Sequence, residues 1–242
     1  MNRFFISAKN ISDRQLVIDD LKQLHHIKHV LHIDVGEDIE ACDENGIEYI
    51  AKLQQSKANV LIFKIMQIKE AQGSFLAKIT IACAIPKNVK MDDIVDKLTQ
   101  LGVNRIIPLV TQRVIVRLDK TKQIERVKRW EKIALSAAKQ SHRSVVTMID
   151  PITKLEDLFR QQNNFDLKLI PTLAGNRKKL KEIIDKQRNI LILIGPEGDF
   201  ASEEIAQATE AGCVPVSLGA TVLRVDTAAI AVASFIRLYE NN

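Results

Sequence analysis

Short β-type runs dominate the first third of the chain. Arg3–Ile6, Ile39–Cys42, Glu48–Gln54 and Val60–Ile68 have the length and residue types of strands. Asn45-Gly46, between the second and third runs, predicts a tight hairpin. One helical stretch covers Asp20–Leu31, and together these elements predict a small β-barrel or sandwich. The polar, glycine-containing segment Lys69–Ser74 then predicts a linker.

Beyond the linker, strands and helices alternate. Lys78–Ile85 is a continuous apolar run of the kind buried on both faces. Met91, Ile94, Val95, Leu98 and Leu101 form the stripe of an amphipathic helix, which Gly102 closes. Arg105–Val110 predicts a strand, and Lys122–Lys139 a helix with Ile124, Val127, Ala134 and Ala138 turned inward. Val145–Ile149, Leu167–Ile170, Ile190–Ile194 and Val214–Leu218 predict further strands. Helices over Leu155–Gln161, Arg177–Lys186 and Ser202–Ala211 separate them. This alternation predicts an α/β domain with a mainly parallel sheet, giving two domains, 1–72 and 73–242.

Composition narrows the class. The chain has 242 residues, 46% hydrophobic and 27% charged, which excludes a disordered polymer. No run of about 18 apolar residues is present, so no membrane-spanning helix is expected. The opening residues lack a signal-peptide pattern. Cys42, Cys83 and Cys213 are odd in number and far apart, which suits a reducing compartment and neither a disulfide framework nor a zinc site. The expectation is a cytoplasmic protein.

The net charge of +5 is unevenly spread. Residues 113–143 hold ten bases and three acids, and a second basic stretch runs from Arg177 to Arg188. Such a local excess is the electrostatic footprint of phosphate-backbone binding, although a solvated helix face would produce it as well.

Candidate chemistry lies in two loops. The strand Ile190–Ile194 runs into Gly195-Pro196-Glu197-Gly198-Asp199-Phe200, with Ser202 as the expected N-cap of the next helix. In open parallel sheets, ligands bind beyond the carboxyl ends of strands, where this loop would sit. It matches neither a P-loop nor a dinucleotide fingerprint. The second loop, Ser217-Leu218-Gly219-Ala220-Thr221-Val222-Leu223-Arg224, precedes a strongly apolar helix. Asp226 or Thr227 is the expected cap of that helix, and its apolar character predicts burial on every side, in a core or an oligomer interface. Arg224 is expected to meet an anion, Asp226 or Glu197.

The segments LIGPEGDFASEEI and SLGATVLRVDTAAIA strongly resemble the ribosomal RNA small subunit methyltransferase E family, knotted enzymes of the SpoU–TrmD (SPOUT) class. MDDIVDKLTQLGVNRIIPLVTQRVIV and RWEKIALSAAKQSHR are similar to further elements of that family. MNRFFI and HHIKHVLHIDVGEDI resemble its N-terminal PUA-like β-barrel. The resemblance implies a C-terminal domain with a deep trefoil knot, a homodimer through that domain, and S-adenosylmethionine as methyl donor. The implied target is ring nitrogen N3 of a uridine near the 3′ end of 16S rRNA. By position, the cofactor residues would be Ile170, Pro171, Thr172, Ile194, Gly195, Pro196, Glu197, Gly198, Leu218, Gly219 and Leu223. Arg224 would stabilise the uracilate or adjoining phosphate. Asp226 or Glu197 would accept the proton or orient Arg224. Arg113, Gln140, Arg143 and the basic helix between them would grip RNA.

Four positions depart from the family pattern: Asp199 where a third glycine is usual, Val225-Asp226 for Thr-Glu, and His32 for Arg. The cluster His25, His26, His29 and His32 has no cysteine partner, and packing or RNA contact is the expected role rather than metal binding. Trp130 is expected in the core. Rival readings are a related methyltransferase acting on transfer RNA or another ribosomal base, and a noncatalytic RNA-binding protein.

Overall fold

A computed structural model describes residues 3–69, 77–87, 91–113, 119–161, 164–185 and 189–240. The chain divides into two compact units, Met1–Ser74 with His142–Val145, and Phe75–Ser141 with Val146–Asn242.

The first unit is a six-stranded sheet of β1 (Arg3–Phe5), β2 (Ile11–Ser12), β3 (Gln15–Ile18), β4 (Asp38–Cys42), β5 (Glu48–Lys57) and β6 (Val60–Lys69). The strand order is β1-β4-β5-β6-β3-β2, antiparallel except for β1 beside β4. Burial alternates along β5 and β6 at first, so one face carries the core of Leu53, Leu61, Phe63, Phe4 and Ile39. The β4–β5 hairpin turns at Gly46, whose φ of 82° suits glycine. The buried Asp43 carboxylate fixes this turn, accepting from the N–H groups of Asn45 and Ile47 (both 2.9 Å) and from the Tyr49 hydroxyl (3.0 Å).

One hairpin went unpredicted here, and one expectation needs correction. The hairpin of β2 and β3 was not legible, because Asp13 and Arg14 make its turn at φ 47° and 58° without a glycine. The expected single helix over Asp20–Leu31 is a short α1 (Leu21–His25), capped by Asp20, that continues as a π-turn over His26–Val30. Of the expected linker, Lys69 ends β6 and residues 70–74 lie outside the described residues.

The second unit contains β7 (Lys78–Ala84), α2 (Met91–Gln100), β8 (Arg105–Val110), α3 (Lys120–Gln140), β9 (Met148–Ile149), β10 (Thr153–Lys154) and α4 (Leu155–Gln161). It continues with β11 (Leu167–Pro171), β12 (Lys178–Lys179), β13 (Asn189–Ile194), α5 (Ser202–Glu210), β14 (Val214–Ser217) and α6 (Val225–Glu240). All its strand pairs are parallel, in the order β10-β8-β7-β13-β11-β14-β12, with β9 also on β8. The central strand β13 explains its own composition. Ile190, Ile192 and Ile194 enter one core with Trp130 and Ile236, while Leu191 and Leu193 enter the other with Leu158 and Phe200. A strand buried on both faces has no polar side to display.

Three expectations are corrected by tertiary packing, and a fourth is narrowed. Ile124 is 56% exposed, because it stands about 120° around α3 from the inward Trp130. The expected helix over Arg177–Lys186 is the edge strand β12 followed by a 3-10 turn at Leu180–Glu182; its last residue lies outside the described residues. Pairing of Lys178 and Lys179 with Val216 and Ser217 overrides their helix propensity. The expected strand over Val145–Ile149 shrinks to β9, because Val145 belongs with the first unit. Within the chain α6 buries Val225, Ala229, Val232, Ala233 and Ile236 but exposes Thr227, Ala231, Leu238 and Tyr239, so it is no all-round core helix, and of its two expected settings the oligomer interface is left. Among the described residues no helix is long and apolar enough to cross a membrane.

Candidate active site

The strands β13, β11 and β14 are neighbours and run the same way, so their exit loops emerge at one edge of the sheet. Those loops enclose a cleft of about 590 Å³, its open mouth included. Of the residues expected there, Pro171, Thr172, Ile194, Gly195, Pro196, Glu197, Leu218, Gly219 and Leu223 line it. Ile170 and Gly198 do not: Ile170 is fully buried in the core below, and Gly198 is exposed. Sequence reasoning missed Leu173, Arg177, Asp199, Thr221, Val222, Val225 and Ala228, which also line the cleft. Asp199 was visible as a departure from the family pattern, whereas Arg177 was hidden in a basic run read as a helix.

The loop after β13 is held by specific contacts. A Cβ on Gly195 would stand 3.0 Å from two ring carbons of Phe200, so only glycine fits without a shift. Asp199 has a left-handed φ of 62°. Its Oδ1 accepts from the Phe200 N–H (2.8 Å), and its Oδ2 accepts from the Thr172 hydroxyl (2.9 Å) and the Leu173 N–H (2.8 Å). Arg113 Nη1 donates to the carbonyls of Gly198 and Asp199. The Glu197 carboxylate accepts from the Lys87 N–H (3.1 Å).

Helix α5 starts one residue earlier in role than expected. Ala201 takes the cap position, Ser202 is already helical, and the buried Glu204 carboxylate does the capping. Its two oxygens accept from the N–H groups of Ala201 (2.9 Å) and Gln112 (2.8 Å), which ties the exit of β8 to this loop.

The loop after β14 is held more lightly. Ser217 Oγ donates to the Gly219 carbonyl (3.1 Å). The N–H groups of Ala220 to Arg224 have no partner among the described residues. α6 begins at Val225, ahead of the expected caps Asp226 and Thr227, and the Arg224 carbonyl accepts from the Ala228 N–H (2.8 Å). The Arg224 side chain is exposed and pairs with neither Asp226 nor Glu197, which leaves a bound anion among the three expected partners. Asp226 Oδ1 is buried and without a hydrogen-bond partner. Neither residue lines the cleft; both stand at the start of α6 beside it.

The remaining candidates fall in different places. Arg113 serves the loop of Gly198, Gln140 is exposed at the end of α3, and Arg143 is half-buried in the segment that belongs to the first unit. Lys128, Arg129 and Lys132 flank a shallow groove on α3. Trp130 is buried and donates from Nε1 to Asp92 (3.1 Å). His25 and His29 pack with ring centroids 5.1 Å apart, and His26 meets Phe4 edge-on. Among the described residues no group of three or more His, Cys, Asp or Glu side chains is placed to hold a metal. Burial pushes the Cys83 thiol up to about 12, with Glu197 and Asp226 adding to the effect. Cys213 rises to about 12 and Cys42 to about 11, both by burial first.

Comparison with known proteins converges on one family. Residues 74–237 match the RNA methyltransferase domain, and residues 18–66 match the RNA methyltransferase PUA domain. The ribosomal RNA small subunit methyltransferase E of Mesomycoplasma hyopneumoniae is 32% identical over 230 residues, covering 95% of this chain and 96% of that one. The chain belongs to the ribosomal RNA small subunit methyltransferase E family. The family's Bacillus subtilis member is 27% identical over 94% of this chain and 93% of its own. A crystal structure of the Neisseria gonorrhoeae member bound to S-adenosyl methionine superposes with a TM-score of 0.85 at 28% identity. It covers 99% of this chain and 98% of that one.

Proposed function

We propose that this protein transfers a methyl group from S-adenosylmethionine to N3 of a uridine near the 3′ end of 16S rRNA, in the cytoplasm. The observation that carries the reading is the cleft at the ends of β11, β13 and β14, in a chain related along almost its whole length to this family. The residues suit the cofactor. Ile194, Leu218, Leu223, Val225 and Ala228 offer apolar walls for a flat base, and the unpartnered N–H groups from Ala220 to Arg224 offer donors.

S-adenosylmethionine, when bound, supplies an electrophilic methyl group on a sulfonium. The chain's own task is then to orient the uracil for in-line attack and to exclude water. Uracil N3 carries a proton, so attack requires its removal. Arg224, cationic and unpaired at the cleft's edge, stabilises the resulting uracilate or the adjoining phosphate. Asp226 accepts the proton or orients Arg224, and its partnerless Oδ1 leaves it capacity for either. The basic face of α3, with Gln140 and Arg143, takes the RNA backbone, and residues 1–72 bind RNA as a PUA-like module. Residues 73–242 carry the chemistry, with a deep trefoil knot through the cleft loops. The exposed apolar residues Ala231, Leu238 and Tyr239 of α6 support a homodimer through this domain.

The test is methyl transfer from radiolabelled S-adenosylmethionine to undermethylated small subunits and to bulk transfer RNA, with the product base identified by mass spectrometry. N3-methyluridine in the small subunit alone is expected. Label in transfer RNA, or on another base, would move the enzyme to a different target. No cofactor binding by calorimetry would leave an RNA-binding protein.

A further inference from the structure

We infer that Asp199 is a latch between two walls of the cleft, a positioning residue whose carboxylate sets cofactor affinity. This rests on the reading of the cleft as the S-adenosylmethionine site. Asp199 holds a φ of 62°, a conformation that glycine adopts freely and that residues with a Cβ rarely take. A side chain at such a position persists when its own contacts hold it there. Both carboxylate oxygens are committed: Oδ1 to the Phe200 N–H, and Oδ2 to the Thr172 hydroxyl and the Leu173 N–H, 27 and 26 residues away in the chain.

Those two distant donors belong to the loop after β11, which has few other anchors. Leu173 is 53% exposed, so its side chain does not pin the loop. The other ties of Thr172 are its N–H to the Val216 carbonyl (3.3 Å), its hydroxyl accepting from the Ala174 N–H (3.2 Å), and Arg177 donating to its carbonyl (3.2 Å). Thr172 is largely buried, so its hydroxyl, deprived of Asp199, loses its acceptor where access to water is small. From the other side, Arg113 grips the carbonyls of Gly198 and Asp199. Asp199 and Thr172 both line the cleft, so the distance between its walls passes through this one carboxylate. Without the latch, the loop must be ordered when the cofactor binds, which weakens binding without touching the reacting atoms.

The experiment is calorimetric titration of S-adenosylmethionine into wild type, Asp199→Gly, Asp199→Asn, Thr172→Val and the double variant Asp199→Gly/Thr172→Val. The latch predicts about tenfold weaker binding for Asp199→Gly and about threefold for Asp199→Asn or Thr172→Val. The double variant should bind no worse than Asp199→Gly, because both changes remove one shared bond. In turnover assays, KM for the cofactor rises in step while kcat at saturating cofactor and KM for small subunits hold within about twofold. Relief of left-handed strain alone predicts the opposite sign. An Asp199→Gly protein that binds as tightly as wild type or more so, or an additive double variant, overturns the latch. Asp199→Asn, which keeps the size and the tolerance for this φ, decides the matter should the glycine variant fail to fold. Wild-type protein that does not bind the cofactor removes the reading of the cleft, and the latch with it.

Discussion

The loop after β13 and the loop after β14 form opposite sides of one cleft, yet they are held by different means. The first is crowded against Phe200 at Gly195, gripped by Arg113, capped by the buried Glu204 and tied to its neighbour by Asp199. The second has one side chain, Ser217, bonded to both backbone groups of Gly219, a row of N–H groups without partners among the described residues, and an exposed arginine at its end. A fixed wall keeps a binding site in shape before the ligand arrives, which lowers the ordering cost of binding. The wall with spare donors is where ligand and substrate complete the hydrogen bonding that the protein leaves open.

The largest effect should come from the open side. Arg224→Ala is expected to lower kcat by about 10²–10³, as loss of a charge-stabilising donor does, with cofactor affinity within about twofold. Single-turnover methylation set beside calorimetry checks this. An equal loss in both would place Arg224 on the cofactor and erase the contrast between the walls.

Next comes the fixed side. Glu204→Ala deprives the N–H groups of Ala201 and Gln112 of their acceptor and should destabilise the fold by about 2–4 kcal/mol in denaturant titration. Gly195→Ala forces a Cβ onto the Phe200 ring and should cost about 1–3 kcal/mol. Gly219→Ala meets nothing within 4 Å, so only its φ of 130° resists, at about 1–3 kcal/mol with no packing loss. If the shifts at Gly195 and Gly219 came with the same loss of cofactor affinity, the two walls would be equally rigid.

Arg113→Ala sharpens the comparison at smaller scale. If Arg113 is a grip on the loop, its loss should weaken cofactor binding about threefold, through two charged hydrogen bonds at an exposed site. A fall in RNA affinity alone would return it to the role that sequence suggested.

The smallest effect lies beneath the walls. The Cys83 and Cys213 thiols keep their protons up to about 12 in the folded protein against an ordinary 9.0. Because the folded value is the higher one, their share of stability is whole below pH 9 and is lost as pH climbs from there through about 12. A thiol reagent at pH 8 should leave both unreacted in native protein and label them after denaturation.

What could be read in advance follows the range of each interaction. The apolar run Ile190–Ile194 announced a strand buried on both faces, because two cores need an apolar residue at every position. The Met91–Leu98 stripe and Gly102 announced α2 and its end for equally local reasons. Asn45-Gly46 announced its hairpin, while the Asp13-Arg14 turn gave no such signal. The basic run at Arg177 misled, because a strand edge 38 residues downstream captured Lys178 and Lys179.

The glycine loops, the arginine before α6 and the basic helix were therefore determined by the sequence itself, through local propensity, periodicity and charge. Tertiary structure alone decided which donor each carboxylate would meet. Asp199 reached Thr172 and not Arg224, Glu204 reached Gln112, and Asp226 was left with a buried oxygen free. Hydrogen bonds extend only about 3 Å, and their partners are set by how distant strands line up, which no local pattern encodes.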